Sequence, residues 1–138
     1  MKYLVDTHIA LWFLYKKEKL SQKVISIIED DKNEIYISLA SIWEVAIKHK
    51  KNPSAMPVDE ESFKNDLNAS EILLLNIDYS HIKNIKNLIY HDNKTRHNDP
   101  FDRMLLVQAI TEQMYFITND SLIPNYNENC IIMNKEPL

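Results

Sequence analysis

Four acidic residues lie close to the points where strands of a predicted parallel sheet end. They are Asp6, Glu44, Asp102 and Asp120. Because ligand sites in open parallel sheets lie outside the carboxyl ends of the strands, we expect these four side chains to share one cleft. Carboxylates that share a cleft repel one another unless cations neutralise them or their pKa values separate. An all-oxygen ligand set without cysteine is typical of Mg²⁺, with Mn²⁺ as an alternative ion.

A carboxylate cluster of this kind suggests a specific chemistry. Two divalent ions about 4 Å apart can hold a phosphodiester and activate a water molecule for in-line attack on phosphorus. We therefore predict that the four acids are both the metal ligands and the catalytic residues. Thr118 and Asn119, which come just before Asp120, are predicted to hydrogen-bond the acids or their waters.

Each of the four acids also has an ordinary structural interpretation. Asp6 suits a helix cap, and Asp120 suits a turn. Asp102 suits the first turn of a helix, where a negative charge complements the helix dipole. Glu44 fits a capping box with Ser41. These alternatives stay open for the single positions, and the metal-site prediction depends on the joint arrangement.

Two further aspartates show how far a single position can be interpreted. Asp99 precedes Pro100, which predicts a helix that begins with an aspartate cap and a proline at its first position. Asp99 is therefore a candidate fifth acid, although this signal favours a capping role for it. Asp78 also follows an apolar run, so an acid at a strand end is weak evidence when taken alone.

The elements that must position these acids alternate between strand and helix patterns. Short apolar runs predict strands at Lys2–Val5, Ile35–Ile37, Ile72–Leu75, Tyr115–Thr118 and Cys130–Met133. Helical spacing or capping signals predict helices at Ile9–Tyr15, Leu20–Glu29, from Leu39 onward, at Glu60–Asn68, at His81–Ile89 and from Pro100 to about Gln113. Continuous apolar strands separated by helices predict an α/β fold, with a five-stranded parallel sheet covered by helices on both faces. We expect one domain over residues 1–138.

Two of the predicted helices carry wide apolar faces. The helix that contains Glu44 has the spacing of a core-facing stripe at Leu39, Ile42, Trp43, Ala46 and Ile47. A helix that began at Ser41 would leave Leu39 outside this stripe, which disfavours the capping-box interpretation. The first helix is apolar almost all round at residues 11–14, so that core packing and a partner surface both remain open for it.

The composition excludes several kinds of site. The 138 residues include no glycine, and Walker A loops, GxGxxG fingerprints, GxSxG elbows and GXXG clamps all require it. Asparagine is expected to take the positive-φ positions that glycine usually occupies. A single cysteine excludes an internal disulfide framework and any multi-cysteine zinc or iron–sulfur site. Polar residues interrupt the apolar amino terminus, and no run suits a membrane span, so we expect a soluble, cytoplasmic protein without membrane contact.

The net charge of −4, taken alone, disfavours a nucleic-acid partner. Four of the 20 acidic residues are the predicted site acids, however, and the remaining 16 balance the 16 lysines and arginines. The candidates for contacts with nucleic-acid phosphates are Lys48, Lys50, Lys51, Arg96 and Arg103. The lysine run also suits a solvated helix end. His8, His91 and His97 lie near predicted loops, where a solvated histidine is the default interpretation.

Four segments together carry a resemblance to a known family. They are Tyr3–His8, Ser41–Lys48, His97–Ala109 and Phe116–Asp120. In order and spacing they resemble PIN-domain proteins, especially the VapC-type toxins of bacterial toxin–antitoxin pairs. The resemblance implies a single PIN-like domain with Mg²⁺-dependent endoribonuclease activity, inhibition by a small cognate antitoxin, and frequent homodimerisation. The acids that bind metal in that family match Asp6, Glu44, Asp102 and Asp120, and Asp99 belongs to the same motif.

The predicted function is therefore that of a toxin that hydrolyses RNA phosphodiester bonds with metal-activated water. A metal-dependent DNA nuclease would use the same carboxylates and is the first alternative. A non-catalytic Mg²⁺-binding regulatory module is the second. Phosphate-accepting receiver domains place a pair of acids after the first strand, whereas this chain has Asp6 alone.

Overall fold

A computed structural model describes residues 1–135, so that the last three residues of the predicted 1–138 domain lie outside the described residues. The strands are β1 (Lys2–Val5), β2 (Glu34–Ser38), β3 (Leu73–Leu75), β4 (Tyr115–Thr118) and β5 (Ile131–Met133). The α-helices are α1 (Thr7–Tyr15), α2 (Gln22–Glu29), α3 (Leu39–Lys51), α4 (Glu60–Ala69), α5 (Tyr79–Asn84) and α6 (Pro100–Thr111). Short 3₁₀ turns lie at Lys17–Lys19, Ile85–Asn87 and Ile123–Tyr126.

The five strands form one parallel sheet in the order β3-β2-β1-β4-β5, which confirms the predicted sheet. The chain leaves the central strand β1 toward β2 and later returns to pair β4 on its other side. Val5 at the end of β1 lies opposite Ile37 of β2 and Ile117 of β4. The residues that follow these strands therefore meet at one edge of the sheet, at the point where the strand order reverses.

Alternate residues of the strands pack on opposite faces of the sheet. Tyr3 and Val5 belong to a core cluster that also contains residues of α1, α2 and α4. Leu4, which is fully buried, belongs to a second cluster built largely from α6. Because successive side chains of a strand point to opposite faces, the two clusters lie on opposite sides of the sheet. The prediction of helices on both faces is confirmed.

Helix α3 differs from its predicted packing. Leu39, Trp43 and Ile47 of the predicted core stripe are 41%, 60% and 43% exposed, so this part of the prediction is wrong. The face that α3 buries contains Ala40, Ser41, Glu44 and Val45. Val45 joins the first core cluster and Ala40 joins the second, so α3 contributes to the core on both sides of the sheet. This placement turns Glu44 inward and leaves the apolar stripe outside.

The start of α3 also decides between two interpretations of Glu44. Ser38 is the N-cap residue, and its hydroxyl oxygen accepts a hydrogen bond from the backbone N–H of Ala40 at 3.0 Å. The helix therefore begins before Ser41, which lies inside it. The capping box of Ser41 with Glu44 does not form, and the Glu44 side chain is available for another role.

Helix α5 is shorter than the prediction from apolar spacing. The predicted helix His81–Ile89 ends at Asn84, and a single 3₁₀ turn follows at Ile85–Asn87. Ile82 is 53% exposed and Ile89 is 63% exposed. Apolar periodicity extends a helix only where the apolar face packs against the rest of the protein, and these two side chains stay largely exposed.

Three described residues have positive φ angles in this chain without glycine. They are Glu71, Gln113 and Asn127, with φ of 61°, 57° and 55°. The expectation that asparagine takes such positions is confirmed for Asn127 alone. Glu71 and Gln113 each follow the C-cap residue of a helix. The left-handed conformation commonly ends a helix at this position, although it costs free energy in a residue with a Cβ atom.

The described helices are short compared with the thickness of a membrane. The longest described helix, α3, has 13 residues, whereas a crossing needs about 20. None of the helices within residues 1–135 qualifies as a membrane span.

Candidate active site

The carboxyl edge of the sheet contains a cavity of about 400 Å³ that all four predicted acids line. Its lining consists of Asp6, His8, Trp12, Glu44, Lys48, Asp99, Asp102, Asn119 and Asp120. Asp6 follows β1, Asp120 follows β4, and Glu44 and Asp102 come from α3 and α6. Five carboxylates from four parts of the chain therefore meet in one cavity, since Asp99 and Asp102 both lie at the start of α6. Asp78, which also follows an apolar run in the sequence, is absent from this lining.

Asp6 both caps a helix and lines the cavity. Its Oδ1 atom accepts a hydrogen bond from the backbone N–H of Ile9 at 2.9 Å, which caps α1. Its Oδ2 atom accepts a hydrogen bond from the hydroxyl of Thr118. The side chain is 4% exposed, and this burial raises the pKa of Asp6, whereas the bonds from Thr118 and Ile9 act in the opposite direction. The capping interpretation and the site interpretation both hold for this residue.

Thr118 links the two acids that follow the neighbouring strands β1 and β4. It donates to Asp6, and its hydroxyl oxygen accepts the backbone N–H of Asp120 at 3.1 Å. The side chain of Asn119 accepts a hydrogen bond from Asn134 at 3.2 Å, and its backbone N–H lies against Asp6. The end of β4 thus fixes the relative positions of Asp6 and Asp120.

Glu44 is held on both of its carboxylate oxygens. Oε2 forms an ion pair of 2.7 Å with Nζ of Lys48, one helical turn further along α3. Oε1 lies 2.6 Å from the hydroxyl of Thr7, which in turn lies 2.8 Å from the hydroxyl of Ser41. Since a carboxylate only accepts and a hydroxyl has one proton, Thr7 donates to Glu44 and accepts from Ser41. Thr7 and Ser41 were not predicted as site residues, because their role depends on contacts between α1 and α3.

Asp102 is the acid whose ionisation the site opposes most clearly. Burial, a hydrogen bond with Asp120 and the negative charges of Asp99, Asp6 and Asp120 raise the pKa of Asp102 to about 8. Desolvation and crowding by like charges both favour the neutral acid. A cation placed among these side chains would remove the repulsion and ionise Asp102.

Asp99 and Asp120 have local structural roles as well as places in the cavity. Asp99 caps α6, since its Oδ1 atom accepts the backbone N–H groups of Phe101 at 2.9 Å and Asp102 at 3.3 Å. Asp120 forms a turn in which its Oδ1 atom accepts the backbone N–H of Leu122 at 2.9 Å. Each of them keeps a second carboxylate oxygen outside these bonds.

His97 is a site residue that the sequence did not reveal. The prediction of a solvated loop histidine is wrong for it, because its side chain is 3% exposed. Its Nε2 atom lies 3.5 Å from Oδ2 of Asp102 and 3.4 Å from Oδ2 of Asp120, and its Nδ1 atom lies 2.8 Å from the hydroxyl of Tyr126. The sequence does not reveal this role, because His97 lies in a loop and its partner Tyr126 is 29 residues further along the chain.

The basic candidates for phosphate contacts lie at different depths. Lys48 lines the cavity and pairs with Glu44, and its side chain is 45% exposed. Lys50 and Lys51 are exposed at the end of α3, where positive charge also complements the helix dipole, and Arg96 is exposed in the loop before α6. Arg103 is half-buried on α6 and lies beside Tyr126.

A sequence model of the PIN domain matches residues 3–129, which is most of the chain. The chain belongs to the PIN-domain family. The family and the five-stranded parallel sheet agree with the resemblance in the sequence. Among curated protein sequences, none matches this PIN domain significantly.

Solved structures with a similar fold include toxin–antitoxin complexes. VapBC2 from Rickettsia felis, bound to a DNA fragment from its promoter, has 18% identity and a TM-score of 0.65, with 96% of this chain and 97% of that chain covered. A toxin–antitoxin complex from Klebsiella pneumoniae has 17% identity and a TM-score of 0.59, covering 98% and 99%. DNA-bound VapBC from Salmonella typhimurium has 14% identity and a TM-score of 0.64, covering 96% of each. At these identities the similarity concerns the fold.

The residues of this PIN domain fit a divalent cation. Hard carboxylate oxygens are the ligands that Mg²⁺ and Mn²⁺ prefer. One ligand atom from each of His97, Asp102 and Asp120 lies within 4.8 Å of the others, and Asp6 and Glu44 line the same cavity. Lys48 is the single lysine or arginine among the described lining residues, so that most of the negative charge in the cavity has no permanent positive partner there.

Metal binding should release protons from the site at neutral pH. The pKa of Asp102 is about 8, so this side chain is mostly protonated at pH 7 in the metal-free protein, and a carboxylate must ionise to bind a cation. We expect Mn²⁺ binding at pH 7 to release about 0.9 proton from Asp102, and the affinity to rise with pH until about pH 9. Calorimetry in buffers of different ionisation enthalpy measures this number.

The variant Asp78→Asn is the matched control for this measurement, because Asp78 lies outside the cavity lining. It should release the same number of protons as the wild type. Binding of Mn²⁺ at pH 7 without proton release would contradict the raised pKa of Asp102.

Proposed function

We propose that this PIN domain is a metal-dependent endoribonuclease, the toxin of a toxin–antitoxin pair, which hydrolyses RNA phosphodiester bonds. The observation that carries the proposal is the convergence of Asp6, Glu44, Asp102 and Asp120 in one cavity at the carboxyl edge of the sheet. Membership of the PIN-domain family supports a phosphodiester-hydrolysing nuclease. The toxin–antitoxin complexes among the solved structures with this fold support the toxin assignment.

The four acids would hold the cation, with Mg²⁺ as the expected ion and Mn²⁺ as a substitute. A divalent cation there supplies a water molecule of lowered pKa and neutralises the charge that develops on the phosphate. The chain's own residues orient the acids. Thr118 holds Asp6, and Thr7 holds Glu44. Asp99 caps α6 and thereby fixes the helix turn that presents Asp102.

Lys48 is the strongest candidate for a contact with the substrate phosphate. It lines the cavity, and its side chain is 45% exposed although its Nζ atom pairs with Glu44. A lysine that exchanges its carboxylate partner for a phosphate oxygen would bring positive charge to the scissile group without leaving the site. Lys50, Lys51 and Arg96 are exposed and are proposed to contact phosphates further along the RNA. Arg103 is the fifth proposed phosphate contact, and it is half-buried beside Tyr126.

A groove beside the acid cavity is the proposed contact for the antitoxin. It has a volume of about 560 Å³ and lies between α1 and α4, with Leu11, Trp12, Met56 and Val58 in its lining. Both the groove and the acid cavity are lined by His8 and Trp12. A partner chain that packs its apolar side chains in this groove would therefore end beside the acids and block access of RNA to them.

The exposed stripe of α3, defined by Leu39, Trp43 and Ile47, is the proposed homodimer contact. Three large apolar side chains at 41%, 60% and 43% exposure lie on one helix face. Trp43 also packs edge-on against Phe101, with ring centroids 5.2 Å apart. Contiguous apolar surface of this kind typically marks a protein interface, and a second copy would bury the same stripe by symmetry.

Replacing Asp6 by asparagine tests the nuclease proposal. Asparagine caps helices as well as aspartate does, so α1 should keep its start while the site loses one charged ligand. We expect cleavage of single-stranded RNA with added Mg²⁺ to fall at least about 100-fold in Asp6→Asn. The control Asp78→Asn should cleave at the wild-type rate. A gel assay with DNA of the same sequence in parallel distinguishes the two nucleases.

Wild-type cleavage by Asp6→Asn would contradict the metal site. Cleavage of the DNA with no cleavage of the RNA would contradict the RNA substrate and favour the DNA nuclease.

Replacing Trp43 by lysine tests the homodimer. The wild type should have twice the chain mass of 16.3 kDa in sedimentation or light scattering. We expect Trp43→Lys to be a monomer, because a dimer would have to bury the added ammonium group in an apolar contact. Tyr115→Lys, which changes a 38% exposed aromatic residue at the amino end of β4, should remain a dimer. A monomeric wild type would contradict the proposal.

A further inference from the structure

A buried chain of contacts leads from Tyr126 through His97 to two of the site acids, by hydrogen bonds to Tyr126 and Asp102 and by an ion-pair contact to Asp120. The hydroxyl of Tyr126 lies 2.8 Å from Nδ1 of His97, and Nε2 of His97 lies between Oδ2 of Asp102 at 3.5 Å and Oδ2 of Asp120 at 3.4 Å. Tyr126 is 4% exposed and His97 is 8% exposed. The proposed function assigns the cation to four acidic residues and gives no role to Tyr126 or His97.

The partners of the imidazole determine where its protons lie. Nε2 faces one oxygen each of Asp102 and Asp120. Once a cation has ionised both acids, these oxygens only accept hydrogen bonds, so Nε2 must then carry the proton. In the neutral imidazole Nδ1 then has no proton and accepts one from the hydroxyl of Tyr126. The hydroxyl of Tyr126 thus selects the tautomer that points an N–H group at Asp102 and Asp120.

An aromatic cluster holds the ring of His97 in this orientation. Tyr90 stacks on His97 with centroids 6.2 Å apart, and Tyr126 meets both rings edge-on at 5.1 Å and 5.4 Å. The hydroxyl of Tyr90 accepts a hydrogen bond from Asn125 at 3.0 Å. The loop that contains His97 is therefore fixed to the 3₁₀ turn that follows Asp120, and the imidazole has little freedom to turn away.

We propose that His97, oriented by Tyr126, is a positioning residue that holds the Asp102 and Asp120 carboxylates at the separation a bound divalent cation requires. Asp102 comes from α6 and Asp120 from the turn after β4, so their spacing is not fixed within either element. An imidazole that contacts both carboxyl groups limits how far they can separate. The inference rests on the metal site of the proposed function, and it adds a residue that acts through the ligands.

Affinity for Mn²⁺, measured by calorimetry on the full chain, tests this role. His97→Ala removes the donor, and we expect the affinity to fall about 10- to 100-fold, as for other residues that orient metal ligands. Tyr126→Phe removes a single oxygen and should weaken binding about threefold to tenfold. His97→Gln, whose amide N–H reaches to about the same distance, should restore part of the loss. His91→Gln, which changes an exposed histidine in the same loop, should bind like the wild type.

The spectrum of the bound Mn²⁺ separates positioning from direct ligation. We expect no coupling to an imidazole nitrogen in the electron spin echo of the wild type. A ¹⁴N coupling that disappears in His97→Ala would overturn the proposal, because His97 would then be a ligand. Wild-type affinity in both His97→Ala and Tyr126→Phe would overturn it as well, and thermal melting shows that each variant is folded.

Failure of this proposal differs from failure of the proposed function. If the wild type cleaves RNA and His97→Ala binds Mn²⁺ with wild-type affinity, the proposed function stands and the positioning role of His97 is wrong. If the wild type binds Mn²⁺ but cleaves no RNA, the proposed function is wrong. Weaker Mn²⁺ binding by His97→Ala would in that case still support the positioning role of His97.

Discussion

Repulsion between carboxylates is the constraint on which the other features of this site depend. Five acids line one cavity at the carboxyl edge of the sheet, with Lys48 as the single lysine or arginine among the described lining residues. In the absence of metal, the protein lowers the electrostatic free energy of this repulsion in two ways. Hydroxyl and backbone N–H groups stabilise Asp6, and protonation relieves Asp102, whose pKa is raised to about 8. Neither device would be needed if the acids were solvated separately, so the arrangement favours a cation.

Several residues combine a structural role with a place in the cavity. Asp6 and Asp99 cap α1 and α6, so the bonds that begin these helices also fix two of the carboxylates. Helix α3 buries the face that carries Ala40, Ser41, Glu44 and Val45, which brings Glu44 to the sheet edge and leaves Leu39, Trp43 and Ile47 outside. The position of one site acid thus creates the exposed surface for which we propose a second copy of the chain as partner.

The fold was largely predictable, because buried parallel strands have continuous apolar runs whose order implies the sheet. The gathering of acids was predictable for the same reason, since strand ends share one edge. The sequence misled at α3 because Leu39, Trp43 and Ile47 have the spacing of a core stripe, and spacing does not say which face meets the sheet. It concealed His97, Tyr126 and Thr7 because their contacts join segments 29 to 37 residues apart.

The central claim is that the acid cavity binds a divalent cation through carboxylates of four separate elements. Crystals soaked in Mn²⁺ and measured for anomalous scattering test it most directly, since they locate the ion without reference to activity. The account predicts an anomalous peak in the cavity within about 2.5 Å of carboxylate oxygens from at least two of Asp6, Glu44, Asp102 and Asp120. A crystal saturated with Mn²⁺ that shows no peak in this cavity would contradict it.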